Sequence, residues 1–155
     1  MENVRRITSF SVDHDFIDTG IYVSRIDADV TTYDMRTRKP NGGDYMDNIT
    51  MHSLEHMFAT LVRSSEIGGD VVYFGPMGCR TGFYLLVRNA DNARVLRVVK
   101  QVLREIAEEA TEMYGATRKE CGNYKELSIE SARKEARRYL AELCAREQTF
   151  EYKQL

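Results

Sequence analysis

Gly20-Ile21-Tyr22-Val23-Ser24-Arg25-Ile26-Asp27-Ala28-Asp29-Val30-Thr31-Thr32-Tyr33-Asp34-Met35-Arg36-Thr37-Arg38 reads as two strands joined by a turn. Gly20 to Arg25 and Val30 to Arg38 are rich in β-branched and aromatic residues, and Asp27-Ala28-Asp29 supplies the turn chemistry of a hairpin. Alternation along the second strand sends Tyr33 and Met35 to one face and Asp34 and Arg36 to the other. The first face belongs to a core. The second faces either water or a polar pocket.

Working outward, Asn41-Gly42-Gly43-Asp44 marks a loop, and Asp47 or Asn48 caps a helix that runs to about Glu66 and stops at Gly68-Gly69. A second strand pair, Asp70–Phe74 and Phe83–Arg88, is joined by the turn Gly75-Pro76-Met77-Gly78-Cys79-Arg80-Thr81-Gly82. Asp91 caps a long helix whose Val95, Val98, Val99, Val102, Leu103, Ile106 and Ala110 recur at three- and four-residue steps, a core stripe. Gly115 stops it. Ser128 opens a last helix with Ala132, Ala136, Leu140, Leu143 and Cys144 expected inward. The sum is an α+β fold: one mostly antiparallel four-stranded sheet with three to four helices, in a single domain spanning 1–155. Its two open sheet edges invite an oligomer that covers them.

The chain is long enough for this, because a domain of its 155 residues buries about 70% of the surface its unfolded chain exposes. A hydrophobic fraction of 43% excludes disorder as the default. The formal net charge of −2 provides no basic field for nucleic acid, and the basic runs at 36–39 and 133–138 read as solvated faces or local anion contacts. No stretch of about 18 apolar residues offers a membrane span, and Met1-Glu2-Asn3-Val4-Arg5-Arg6 leads into no apolar signal segment, so a cytoplasmic location is expected. Cys79, Cys121 and Cys144 are odd in number and far apart, which predicts reduced thiols and no disulfide framework.

The chemistry concentrates in Thr50-Met51-His52-Ser53-Leu54-Glu55-His56. On a helix, residues four apart stack with Cβ atoms about 6 Å apart, so both imidazoles reach one ion at about 2.0–2.1 Å. At roughly 100° per residue, His56 lies about 40° to one side of His52 and Glu55 about 60° to the other, at the border of the apolar arc of Met51, Leu54, Phe58, Leu61 and Val62. A carboxylate placed there, beside a metal site, suits proton transfer. Two histidines need a third protein ligand, with one position left open for water or substrate. Cys121, Cys79, His14 and the acidic residues are the candidates, and spacing alone does not divide roles between Cys79 and Cys121.

Several separate motifs together resemble the S-ribosylhomocysteine lyases, the LuxS or autoinducer-2 synthase family. They are Ser9-Phe10 with Asp13-His14, Tyr33-Asp34-Met35-Arg36 with Pro40-Asn41, the histidine helix, Pro76-Met77-Gly78-Cys79-Arg80-Thr81-Gly82, and Cys121-Gly122. The resemblance implies that His52, His56 and Cys121 bind a divalent ion, ferrous iron in the cell with zinc or cobalt able to replace it. It implies that Glu55 and Cys79 move protons and that Ser9, His14 and Arg36 help hold the substrate. It further implies a homodimer in which two sheets meet and each site borrows the neighbour's N-terminal segment. The reaction it implies releases homocysteine and a dihydroxypentanedione, the precursor of autoinducer-2. Two other readings are open: a zinc metallopeptidase of the inverted HxxEH type, and a non-catalytic module with a closed structural metal site. Arg36 has a plainer alternative as the ion-pair partner of Asp34.

Overall fold

The computed structural model of the protein describes residues 4–153. Two hairpins build its sheet. Strand β1 (Gly20–Asp27) turns through Ala28-Asp29 into β2 (Val30–Arg36), with Ala28 in the left-handed region at φ 54. Strand β3 (Val71–Pro76) turns into β4 (Gly82–Arg88), and the hairpins join through β2 and β4 in the antiparallel order β1-β2-β4-β3.

Helix α1 (Asn48–Arg63) links the hairpins; α2 (Asn92–Glu108) and α3 (Ile129–Cys144) follow the sheet. Each helix starts where a side chain accepts an otherwise orphaned amide: Asp47 from Thr50 N, Asp91 from Ala93 N, and Ser128 from Ser131 N. The expected extent of α1 to Glu66 is three residues too long. Ser64 and Ser65 turn back onto Leu61 O and Val62 O, and the chain re-enters the sheet through the 3₁₀ turn Gly68–Asp70.

The period-2 reading of β2 holds. Tyr33 and Met35 join Ile21, Phe74, Phe83, Leu85 and Val87 against the helices, in one core with Leu54, Phe58, Val98, Leu103 and Tyr139. Phe58, Phe74 and Phe83 stack in succession, with centroids 4.5 and 5.0 Å apart, a geometry that adds about 0.5–1.5 kcal/mol per pair beyond burial. Cys144 departs from expectation: it is exposed, because the inward face of α3 follows Ala132, Ala136, Tyr139 and Leu143, and Leu140 is only half-buried.

The outer edge of β1 is also less open than alternation suggests. The tail returns beside it, Phe150 O accepts from Val23 N at 2.8 Å, and Gln148 Oε1 accepts from Ile21 N at 3.1 Å. Among the described residues no helix is long and apolar enough to cross a membrane.

Candidate active site

Helix α1 presents His52 and His56 one turn apart with ring centroids 4.6 Å from each other. The irregular segment between α2 and α3 folds over them and supplies three constraints. His52 Nδ1 lies 2.9 Å from Glu126 O, and His56 Nδ1 lies 3.0 Å from Tyr114 O. A carbonyl can only accept, so each Nδ1 carries the proton and each Nε2 keeps a lone pair for a ligand. The third constraint is Cys121, whose Sγ is 3.4 Å from His52 Nε2 and accepts from Asn123 N.

The three donor atoms of His52, His56 and Cys121 all lie within 4.8 Å of one another. Donors around a tetrahedral ion with bonds of about 2.0–2.3 Å stand roughly 3.3–3.8 Å apart, so a divalent ion fits with a small contraction. The set N, N, S leaves a fourth position free and favours iron or zinc over magnesium. Ser53 fastens the same segment from beneath, since its hydroxyl accepts from Ser128 N at 2.8 Å. The third donor is a thiol, where the inverted peptidases use a carboxylate from a second helix. Cys79 and His14 do not join the cluster.

Gly115 shows how closely the segment approaches. It sits at φ +65, and a Cβ there would stand 2.9 Å from His56 Nδ1. Gly115→Ala is therefore expected to push the ring off its carbonyl and weaken metal binding on the order of 10-fold, the lower range for lost outer-shell support. Chelator competition measures this, and parent-like retention at every chelator concentration would contradict it.

Glu55 lies half-buried on α1, between the histidines in sequence. Cys79 is exposed in the β3–β4 turn, its sulfur 3.0 Å from Thr81 Oγ1 and 3.9 Å from Arg36 Nη1. That turn is tied to the loop entering α1: Thr81 O accepts from both Thr37 N and Arg38 N at 2.9 Å, and Arg80 O accepts from Met46 N at 3.1 Å. Arg38 pairs with buried Glu135 on α3 at 2.8 Å. The two prospective proton carriers thus ride on elements fastened to each other.

Arg36 is 3% exposed and its donors are committed: Nε and Nη2 fork onto Asp34, and Nη1 reaches Thr81 Oγ1 at 2.8 Å. Its register neighbours on both sides are glycines, Gly20 and Gly82, which leaves the long side chain uncrowded. Burial works against the guanidinium charge, yet Asp34 keeps its pKa above the ordinary value. The polar side of β2 thus carries an ion pair, and it faces a pocket. Ser9, His14, Arg36, Asp34, Tyr84 and Tyr152 line that narrow cavity, with a free volume of about 10 Å³. His14 Nδ1 is held by Val12 O at 2.9 Å.

The partners of Arg36 were not singled out by the sequence reading. Asp34 stands in the Tyr33-Asp34-Met35-Arg36 motif, with its face and a pairing to Arg36 as the only properties read for it. Thr81 stands in the turn motif Pro76–Gly82 without a role of its own, and Tyr84 and Tyr152 carry no motif, although the period-2 rule places Tyr84 on the same side as Asp34, its register partner.

The chain is similar to known proteins along nearly its whole length. Residues 7–150 match the family described as S-Ribosylhomocysteinase (LuxS). The chain is 41% identical over 143 residues to the S-ribosylhomocysteine lyase of Borreliella afzelii, covering 88% of this chain and 91% of that protein. It is 37% identical over 142 residues to that of Finegoldia magna, covering 88% and 90%. To that of Desulfotalea psychrophila it is 34% identical over 146 residues, covering 90% and 92%. With a profile match over nearly its whole length and relatives this similar, the chain belongs to the S-ribosylhomocysteine lyase (LuxS) family.

Proposed function

We propose that the protein cleaves the carbon–sulfur bond of S-ribosylhomocysteine, releasing L-homocysteine and 4,5-dihydroxy-2,3-pentanedione. The observation that carries this reading is the convergence of two Nε2 lone pairs and one sulfur, in a member of this family, with a coordination position left over. His52, His56 and Cys121 would hold the divalent ion, ferrous iron in our reading with zinc or cobalt as substitutes, and the ion would supply Lewis acidity to a sugar carbonyl, making the neighbouring C–H acidic.

Glu55 and Cys79 then do the proton work. One removes a proton from the carbon beside the carbonyl, and a proton returned to the former carbonyl carbon moves the C=O one position along the chain. A second shift puts the carbonyl β to the sulfur-bearing carbon. Loss of the intervening proton then expels homocysteine thiolate, and the enol left behind tautomerises to the diketone. Two carriers of different chemistry, a carboxylate and a thiol beside Arg36, suit a sequence that needs both removal and return. Ser9, His14 and Arg36 line one narrow polar cavity of about 10 Å³, and their role is to meet the substrate's polar groups once assembly with the partner opens it.

The working unit is a homodimer, each site completed by the partner's N-terminal segment. Supporting this, Ile7, Phe10, Phe16, Ile26 and Tyr73 are exposed apolar side chains. Ile7 and Tyr73 line a groove of about 380 Å³ with Tyr84 and Leu86 on the sheet face away from the helices. Such a protein acts in the cytoplasm, on a small molecule and with no nucleic-acid partner.

The test is anaerobic purification, elemental analysis, and a thiol-release assay on that same sample. One divalent ion per chain and release of thiol from S-ribosylhomocysteine, without peptide cleavage, is the expected outcome. Peptide cleavage with no thiol released would reverse the choice between lyase and peptidase.

A further inference from the structure

We propose that Tyr152 is a positioning residue: its hydroxyl, donated to Asp34, holds the Asp34–Arg36 ion pair so that the guanidinium faces the Cys79 sulfur. Tyr152 lies beyond residues 7–150, the part of the chain that matches the family.

The geometry is a continuous line of contacts. Tyr152 OH donates to Asp34 Oδ2 at 2.7 Å; Asp34 Oδ2 also accepts from Arg36 Nη2 at 2.7 Å; Arg36 Nη1 stands 3.9 Å from Cys79 Sγ. Asp34 is 2% exposed, so in the intact protein its carboxylate meets the phenol and the guanidinium and not bulk water. Burial, with the charge of Asp34 behind it, pushes the Tyr152 phenol far above its ordinary range, which keeps it protonated and donating.

The tail is built to deliver this group. Phe150 O is bonded to Val23 N, and the Phe150 ring packs edge-on to Tyr33 on the core side, at 6.2 Å between centroids. Two residues on, Tyr152 stacks on Tyr22 on the opposite face, with centroids 4.8 Å apart and planes within 13°. The chain changes face at Phe150 itself, a non-glycine residue at φ 64. A left-handed conformation at such a residue is unfavourable and persists only where its surroundings over-determine it. A tail that merely covered a sheet edge would need neither the reversal nor a hydroxyl placed on a buried carboxylate.

The charged and titratable groups that face Cys79 and its ion pair come from four elements. They are Asp34 and Arg36 on β2, Tyr84 on β4, His14 from the N-terminal segment and Tyr152 from the tail, and two further elements add Tyr22 on β1 and Tyr139 on α3 beside the ion pair, with Arg80 next to Cys79 in sequence. Deleting the Tyr152 hydroxyl leaves Asp34 less neutralised. Its negative potential at Cys79 rises and Arg36 is drawn further onto it, and both changes disfavour the thiolate.

The catalytic consequence rests on Cys79 as a proton carrier, but the test reads the thiol directly. The metal-loaded full chain and its Tyr152→Phe variant are alkylated with iodoacetamide across pH, and the peptide bearing Cys79 is quantified by mass spectrometry. Phe keeps the ring stacked on Tyr22. Cys79 is expected to be alkylated about threefold more slowly than in the parent on the rising part of its pH profile, with kcat lower and metal content unchanged, as befits loss of one hydrogen bond to a buried charge. Superimposable Cys79 profiles overturn the proposal even if turnover falls. A Tyr152→Phe protein that loses metal or helicity overturns it too, because the hydroxyl then belongs to folding. Full turnover by Cys79→Ser would instead remove the proton-carrier reading, while leaving the alkylation result to stand or fall alone.

Discussion

Glu55→Gln is expected to retain one divalent ion per chain and to lose about 10²–10⁴-fold in kcat, the range attached to a general acid or base. The amide keeps the size and position of the side chain on α1 but neither takes nor gives a proton at the pH of the assay. Because Glu55 is half-buried at the margin of the helix's apolar face, the substitution leaves the core and the two histidine–carbonyl bonds alone. Elemental analysis and a thiol-release assay on one preparation separate the two quantities, and near-parental kcat with full metal would remove Glu55 from the mechanism. Mixing this variant with an inactive His14→Ala variant extends the test to assembly. Sites shared between chains recover part of the activity in the mixture, and self-contained sites recover none.

Cys121→Ala and Cys79→Ala should both abolish turnover while differing in metal content. Cys121 Sγ belongs to the donor cluster, so its loss leaves only two protein donors. Affinity should fall by more than the about 100-fold that outer-shell partners alone can account for. Cys79 contacts Thr81 and Arg36 and lies outside that cluster, so its alanine variant should purify with the ion in place. Equal metal content in the two variants would reassign the ligands and reopen the choice that residue spacing leaves between these thiols.

Much of this architecture is legible in the residues. The period-2 pattern around Tyr33 and Met35, the caps Asp47, Asp91 and Ser128, and the valine stripe of α2 are local signals, and the structure follows them. The i,i+4 histidine pair is likewise local. What the residues conceal is what only tertiary contact creates. Tyr114 and Glu126 act through backbone oxygens, which any residue supplies, so no side-chain pattern could flag them. The Tyr152–Asp34 hydrogen bond, which anchors the Arg36 ion pair, joins groups 118 positions apart. The end of α1 was misplaced because Ser64 and Ser65 close the helix with hydrogen bonds that compete with another helical turn.

The covering segment between α2 and α3 has a consequence for how the protein lives with its ion. Residues 110–128 form turns and bends, with no regular ladder of their own, yet they hold both imidazoles and contribute the sulfur. Ordering such a stretch costs about 1–2 kcal/mol per residue in backbone entropy, and whatever binds only the ordered form repays RT ln(1 + [L]/Kd). Occupancy and local folding would then be one equilibrium: a cation on His52, His56 and Cys121 would act as a clasp on this stretch, its release timed by how often the clasp springs open. Amide exchange over 114–126 should slow in step with metal activity while the strands hold constant, making the catalytic ion also the keeper of the flap that retains it.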